Sequence, residues 1–304
     1  MRALLAGLAL ITMNAIPDPV NAQAQAQAQA QATAQAQALD LQALWDFKRP
    51  EVSEQRFRER LATAGGDDAL VLQTQIARTL GLRRRFDEAR QLLMTLQPQV
   101  GAAGAQAQAR WHLEWGRTHA SATHKAALLP EADRQTARES FQAAARHARA
   151  AGLDGLAVDA LHMLPFTTAN PQEELLWTQQ ALDLALASPQ PEARRWEASL
   201  RNNMGVTLNA MGRHAEALAM LQAAVPAAER NGSPERVRIA HWMVARTLRD
   251  LGRTAEALAI QQRLERENAE AGTPDPYVFE ELAHLHRTAG DAARAAHYDA
   301  LARR

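Results

Sequence analysis

The sequence predicts an all-α protein, an α-α superhelix built as a solenoid of antiparallel helix hairpins. Three observations carry that expectation. The stretch GRHAEALAMLQAAV, beginning at Gly212, returns at Gly252 as GRTAEALAIQQRLE. Apolar residues recur at helical spacing on both sides of each such turn. No run in the 304 residues reads as a strand, and the length, about twice a common single-domain length, suits an elongated helical array.

The elements follow in order. Arg2, the apolar run ALLAGLALI, the breakers Pro17 and Pro19, and the small residues around Ala22 read as a cleaved secretory signal over residues 1–22. The apolar run is well short of the ~20 residues of a bilayer span. Residues 23–38, QAQAQAQAQATAQAQA, alternate perfectly but offer nothing larger than alanine, and so read as a low-complexity Gln/Ala spacer. The folded region is expected over residues 39–304.

Within it, PEVSEQRFRERLATAGG reads as a lone helix, with Pro50 at its start and Gly65 at its end, capping one end of a stack. IARTLGLRRRFDEARQLL gives the first hairpin, with Arg84 in the turn slot. AQARWHLEWGRTHA and PEADRQTARESFQAAARHARAAG give a second, joined by a long connection through His124 and Pro130. LAVDALHML and PQEELLWTQQALDLALAS give a third, where Pro165 and Pro171 stop and restart the helices. The hairpins around Gly212, Gly252 and Gly290 complete about six. Met204, Leu208 and Met211 form one apolar stripe, and Leu218, Leu221 and Val225 the next. Gly212 is needed because a residue closing a helix commonly turns left-handed, which glycine does without steric cost. Stacking copies bury each other's apolar faces, which a single hairpin cannot do alone.

The residues also carry a resemblance. The small residue of each first helix (Ala77, Gly116, Gly205, Ala245, Ala283), the leucine three later (Leu80, Leu208, Leu248), the Gly-Arg-x-x-Glu-Ala turn and the alanine after it (Ala89, Ala217, Ala257, Ala295) resemble tetratricopeptide repeats. The likeness runs from Asp67 to the C-terminus with a period of 38 to 40 or more, longer than the ~34 usual in that family, and is weak between Ala105 and Pro189. The resemblance implies a concave groove lined by first-helix positions and a role in binding a peptide or protein.

Composition narrows the chemistry. Formal net charge is zero with acids and bases interspersed, which argues against nucleic acid as a partner. The chain has no cysteine, so disulfides, thiolate metal sites and lipoprotein-type acylation are all excluded. Neither a nucleophile motif nor a phosphate-binding loop is present, and no cofactor is expected. Of 34 basic residues only Lys48 and Lys125 are lysine. Arg78, Arg117 and Arg246 each follow the small residue of a first helix, with Arg249 and Arg287 a turn further along theirs. Asn202 and Asn209 stand in the repeat that lacks an arginine there, and Trp242 lies one turn before Arg246. Together these are the candidate groove residues, suited by their guanidinium and amide groups to acidic side chains, a C-terminal carboxylate or a peptide backbone. Trp111, Trp115, Trp177 and Trp196 are expected to fill the core between helices.

The sequence-based expectation is therefore an exported, non-enzymatic scaffold, periplasmic or secreted, binding a protein or peptide and not inserted in a membrane after signal cleavage. Two alternatives stand beside it. His112 and His119, seven apart, with His124 and a carboxylate such as Glu114, suggest a metal-binding or metal-dependent enzymatic site, against which they read as ordinary polar histidines. The same scaffold without export would be a cytoplasmic regulatory module.

Overall fold

The computed structural model describes residues 39–124 and 128–303. The signal and spacer expected over 1–22 and 23–38 lie outside the described residues. The described residues fall in two units, 39–45 in one and the rest, from Asp46 on, in the other. In the first, Leu41–Leu44 form one helical turn, capped by Asp40 Oδ1, which accepts from the amides of Gln42 (3.0 Å) and Ala43 (3.2 Å).

In the second unit, α1 (Pro50–Leu61) starts with proline at its first position, where a missing N–H costs nothing, and buries Phe57 as it packs on α2. Six hairpins follow among the described residues: α2 (Gly66–Leu82) with α3 (Phe86–Val100), α4 (Ala105–His119) with α5 (Glu131–Ala150), and α6 (Asp154–Met163) with α7 (Pro171–Ala187). Then come α8 (Glu197–Ala210) with α9 (His214–Arg230), α10 (Pro234–Asp250) with α11 (Thr254–Glu270), and α12 (Pro276–Thr288) with α13 (Ala292–Ala302). A 3-10 turn at Leu164–Thr167 follows α6, and a single turn at Pro191–Arg194 precedes α8. No strand occurs among the described residues.

The turns obey the sequence closely. Gly212, Gly252 and Gly290 have φ of +74°, +74° and +78°. After each, an amide reaches back five residues to the helix it leaves: Arg213 N–H to Leu208 O, Arg253 N–H to Leu248 O, Asp291 N–H to His286 O, all 2.9 Å. This closes the orphan carbonyls of the helix end. Arg84 makes the same turn at φ +62°, and Arg85 N–H reaches Leu80 O at 2.9 Å, so a side chain stands where glycine would be unstrained. The arginine after each of three turns then forks onto a glutamate three residues on: Arg85 with Glu88, Arg213 with Glu216, Arg253 with Glu256.

Small residues set the helix spacing inside hairpins. A methyl group at Gly205 would sit 2.5 Å from Leu221 Cγ, and one at Gly116 would sit 2.5 Å from Phe141 Cε1. Apolar clusters then cross each hairpin boundary. Leu113 and Phe141 pack with Ala160 and Met163; Val158 and Leu182 with Leu200 and Met204; Leu218 and Leu221 with Met243, Val244 and Leu248; Leu264 with Val278 and Leu282. Each fully buried leucine contributes about 1.5–3 kcal/mol relative to exposure. Of the tryptophans, Trp111 is buried and donates from Nε1 to Leu93 O (2.8 Å), while Trp115, Trp177 and Trp196 are half-buried.

Candidate functional site

Three first helices, α2, α4 and α6, bring charged side chains to one cavity of about 230 Å³. Its lining is largely apolar, including Leu82, Phe86, Met163, Phe166 and Trp196, and carries the charged or titratable side chains of Arg78, Glu114, Arg117, Asp159 and His162. Helical spacing delivers these groups: Arg110, Glu114 and Arg117 lie at i, i+4 and i+7 on α4, and Asp159 and His162 at i and i+3 on α6.

Arg117 is the tie. Its Nη1 donates to Glu114 Oε1 at 2.6 Å and its Nη2 to Asp159 Oδ1 at 2.5 Å, joining α4 to α6. Arg78 Nη1 donates to the same Glu114 oxygen at 3.3 Å, and its guanidinium lies 5.8 Å from the centre of the Phe47 ring. Arg110 makes no hydrogen bond or ion pair among the described residues, and its Nε is enclosed; its charged neighbours are Glu114, Asp159 and Arg78. Asn203 Nδ2 lies 3.4 Å from His162 Nδ1.

Burial governs the ionisation of these groups. Glu114 is enclosed, and desolvation pushes its carboxyl up to about 8, with Arg78 and Arg110 opposing and Asp159 adding to the rise. Burial likewise raises Asp159, against Arg78, His162 and Arg110, and lowers His162, against Asp159. The cluster thus sets three guanidiniums against two carboxyls, one of which holds its proton near neutrality.

Of the sequence-predicted groove residues, Arg78 and Arg117 meet at this cavity. The structure distributes the others elsewhere. Asn209 Nδ2 donates to Thr247 Oγ1 (2.7 Å), with His214 Nδ1 3.0 Å from its Oδ1, linking α8 to α10. Asn202 is half-buried, its Oδ1 enclosed without a partner among the described residues. Trp242 donates from Nε1 to Tyr277 O (3.2 Å), and the exposed Arg246 guanidinium lies 5.7 Å from its ring centre. Arg249 pairs with Asp250 (3.0 Å) and Glu281 (3.5 Å), and Arg287 with Asp299 (2.6 Å). Sequence position alone does not identify Arg110, Asp159 and His162; the helical spacing of Arg110, Glu114 and Arg117 is the signal that could have found the first of them.

The histidine alternative takes a different form in space. His112 stacks on His147 with ring centres 5.5 Å apart, and burial first, then His147 and Arg146, lower it to about 4. His119 Nδ1 lies 2.6 Å from Asp133 Oδ1, and His124 Nδ1 2.8 Å from Ser121 Oγ. Glu114, the carboxylate expected to join them, faces the arginines. Among the described residues no three histidines or carboxylates converge as a metal would need.

A solenoid of helix hairpins with a charged cavity between first helices defines the class. Residues 196–266 match the tetratricopeptide repeat family. The chain is a tetratricopeptide-repeat-like helical repeat protein. None of the curated proteins matches this sequence. Among solved structures, similar folds include the apo form of RapI (10% identity, TM-score 0.65, covering 84% of this chain and 71% of that one). Another is the signal transduction ATPase with a tetratricopeptide repeat sensor from Pyrococcus horikoshii (12%, 0.64, 84%), of which this chain spans 38%. A third is a Rap protein complexed with competence and sporulation factor (12%, 0.53, 85% and 71%). At these identities the likeness is one of fold.

Proposed function

We propose that the protein is an exported, non-enzymatic tetratricopeptide-like scaffold that holds a segment of a peptide or protein partner, with the cavity between α2, α4 and α6 as its anchor point. The observation that carries this reading is the convergence of Arg78 and Arg117, from consecutive first helices, on an apolar-walled hollow. Apolar walls supply affinity and a few fixed polar groups supply orientation, the usual anatomy of a binding pocket. A Rap protein of similar fold is complexed with competence and sporulation factor, which supports a binding role for a fold of this kind. Export rests on the pattern around Arg2 and Ala22. The mature N-terminus, read by mass spectrometry, is expected at Gln23; an intact Met1 would return the protein to the cytoplasm.

The binding test uses Gly81, which lines the cavity and where an added methyl group would meet nothing within 4 Å. Gly81→Phe should fill the hollow while leaving the core intact. On a peptide array, the folded wild type should retain a defined set of peptides that Gly81→Phe loses by tenfold or more. An unchanged pattern would remove the cavity from partner binding.

A further inference from the structure

Resting on the reading of this cavity as a binding site, we infer that its occupant is an uncharged aromatic ring with an amide group beside it. Size sets the first limit. An apolar cavity of about 150 Å³ takes one benzene ring, so the hollow of about 230 Å³ holds a ring and a short arm rather than a drug-sized molecule. Phe86, Phe166 and Trp196 are in its lining, and the offset and edge contacts such rings make favour an aromatic occupant over an aliphatic one of equal area.

The charge of the occupant follows from where the charges of the lining are already engaged. Arg117 gives both terminal nitrogens to acids of the protein, Nη1 to Glu114 and Nη2 to Asp159. Arg78 donates to Glu114 and has the Phe47 ring beside its guanidinium. Arg110, which stands near both acids, is not among the lining residues. An ionic ligand therefore has to break one of these pairs or enter a largely apolar hollow without a partner, and either is costly. An acidic ligand, which the arginines suggest when read from sequence alone, meets guanidiniums turned onto Glu114 and Asp159. An uncharged one leaves every pair in place.

What the lining leaves for a ligand is two uncharged donors and one acceptor. Glu114 Oε1 accepts from both Arg78 and Arg117, whereas its Oε2 takes no hydrogen bond among the described residues. Burial outweighs the opposing Arg78 and Arg110 and holds this carboxyl protonated up to about 8, so Oε2 is a hydroxyl donor at neutral pH. His162 Nδ1 lies 3.4 Å from the amide nitrogen of Asn203, which can only donate, so the neutral ring carries its proton on Nε2. Burial lowers His162, against Asp159, and so favours that neutral ring. Asp159 accepts from Arg117 at Oδ1, and its Oδ2 takes no hydrogen bond among the described residues. An amide matches this set. Its carbonyl accepts from Glu114 or His162, and its N–H donates to Asp159, so a buried amide leaves neither end unpaired.

The experiment measures binding by calorimetry at neutral pH to 3-phenylpropionamide, 3-phenylpropionate, 3-phenylpropylamine, butyramide and the tripeptide Gly-Phe-Gly acetylated at one end and amidated at the other. 3-Phenylpropionamide should bind, with the acid and the amine at least tenfold weaker for their charge and butyramide at least tenfold weaker for its missing ring. The capped tripeptide, which sets the same ring among peptide amides, separates the sources. Affinity at least tenfold above that of 3-phenylpropionamide identifies an internal residue of a polypeptide, and anything less identifies a small free molecule; either supports the pocket chemistry. Folded Gly81→Phe should bind none of the probes, and the order of affinities in the wild type decides the case even where that variant fails to fold. Acid, amine or butyramide matching 3-phenylpropionamide, binding that survives in folded Gly81→Phe, or no binding of either aromatic amide would overturn the inference. If the aromatic amides fail while the array still loses its peptides in Gly81→Phe, the scaffold reading stands alone. If they bind and the array shows no peptides, the scaffold reading falls instead.

Discussion

Hairpins α8/α9 and α10/α11 repeat one pattern almost residue for residue, whereas α4/α5 and α6/α7 interrupt it with an eleven-residue connection between His119 and Glu131 and a 3-10 turn. The two regions spend their first-helix polar groups differently. In the regular pair, Asn209 bonds Thr247, Trp242 bonds Tyr277 and Arg249 meets Glu281, so these groups stitch one hairpin to the next. In the irregular pair, Arg117 binds both Glu114 and Asp159, and Arg110 Nε beside them is enclosed without a partner among the described residues. Buried polar atoms without a partner among the described residues occur in both regions, Arg110 Nε in one and Gln261 Nε2 and Oε1 in the other, so what sets the irregular pair apart is the cavity beside its charged cluster.

The contrast can be broken most forcefully at Arg117. Arg117→Ala leaves the half-buried Asp159 without its hydrogen-bond donor and takes the 2.6 Å partner from the buried Glu114, and should cost about 3 kcal/mol by urea denaturation. The matching change in the regular region, Arg253→Ala, removes an exposed fork onto Glu256 and should cost under about 1 kcal/mol. Similar losses at both positions would erase the distinction between the two regions.

A second test sharpens it through pH. Glu114 has a folded value near 8, above its ordinary 4.5, so its contribution to stability is present at low pH and is lost as pH rises from 4.5 through 8. His112, lowered from 6.5 to about 4, works oppositely, and its neutral form gains stability as pH rises from about 4 to 6.5. The two offset each other below pH 6.5. Between 6.5 and 8 Glu114 remains, and stability should fall with pH at a slope of up to about 1.4 kcal/mol per unit, the limit for one proton. Glu114→Gln should flatten that interval in thermal melts across buffers; a slope that survives the substitution would assign it to another group.

The smallest effect lies at the turn where the pattern is kept with the wrong residue. Arg84 holds φ +62°, where Gly212 and Gly252 sit unstrained. Arg84→Gly should stabilise by about 1 kcal/mol, net of the added freedom of the unfolded chain. Destabilisation would show that the Arg84 side chain matters to the turn more than its backbone strain.

Much of this is legible in the residues. The helix ends, the left-handed turns and the small contact residues at Gly205 and Gly116 all follow from spacing and the steric character of glycine. The slot after the small residue points to Arg78 and Arg117, which do meet. At Arg246 the same slot leads to an exposed guanidinium 5.7 Å from the ring centre of Trp242, apart from that cavity. Nearness in the chain groups Glu114 with His112 and His119, yet on a helix positions two apart point to different sides, and Glu114 shares its face with Arg110 and Arg117.

The sequence by itself determined the repeating unit, its turns and its stripe of buried side chains, because these depend on neighbours within a few residues along a helix. Only the tertiary structure decided which charges became a site. Arg78, Glu114 and Asp159 are far apart in the chain, and their burial and the ionisation of the two acids exist only once α2, α4 and α6 lie together, since desolvation and ion pairing are properties of assembled surroundings and not of any one segment.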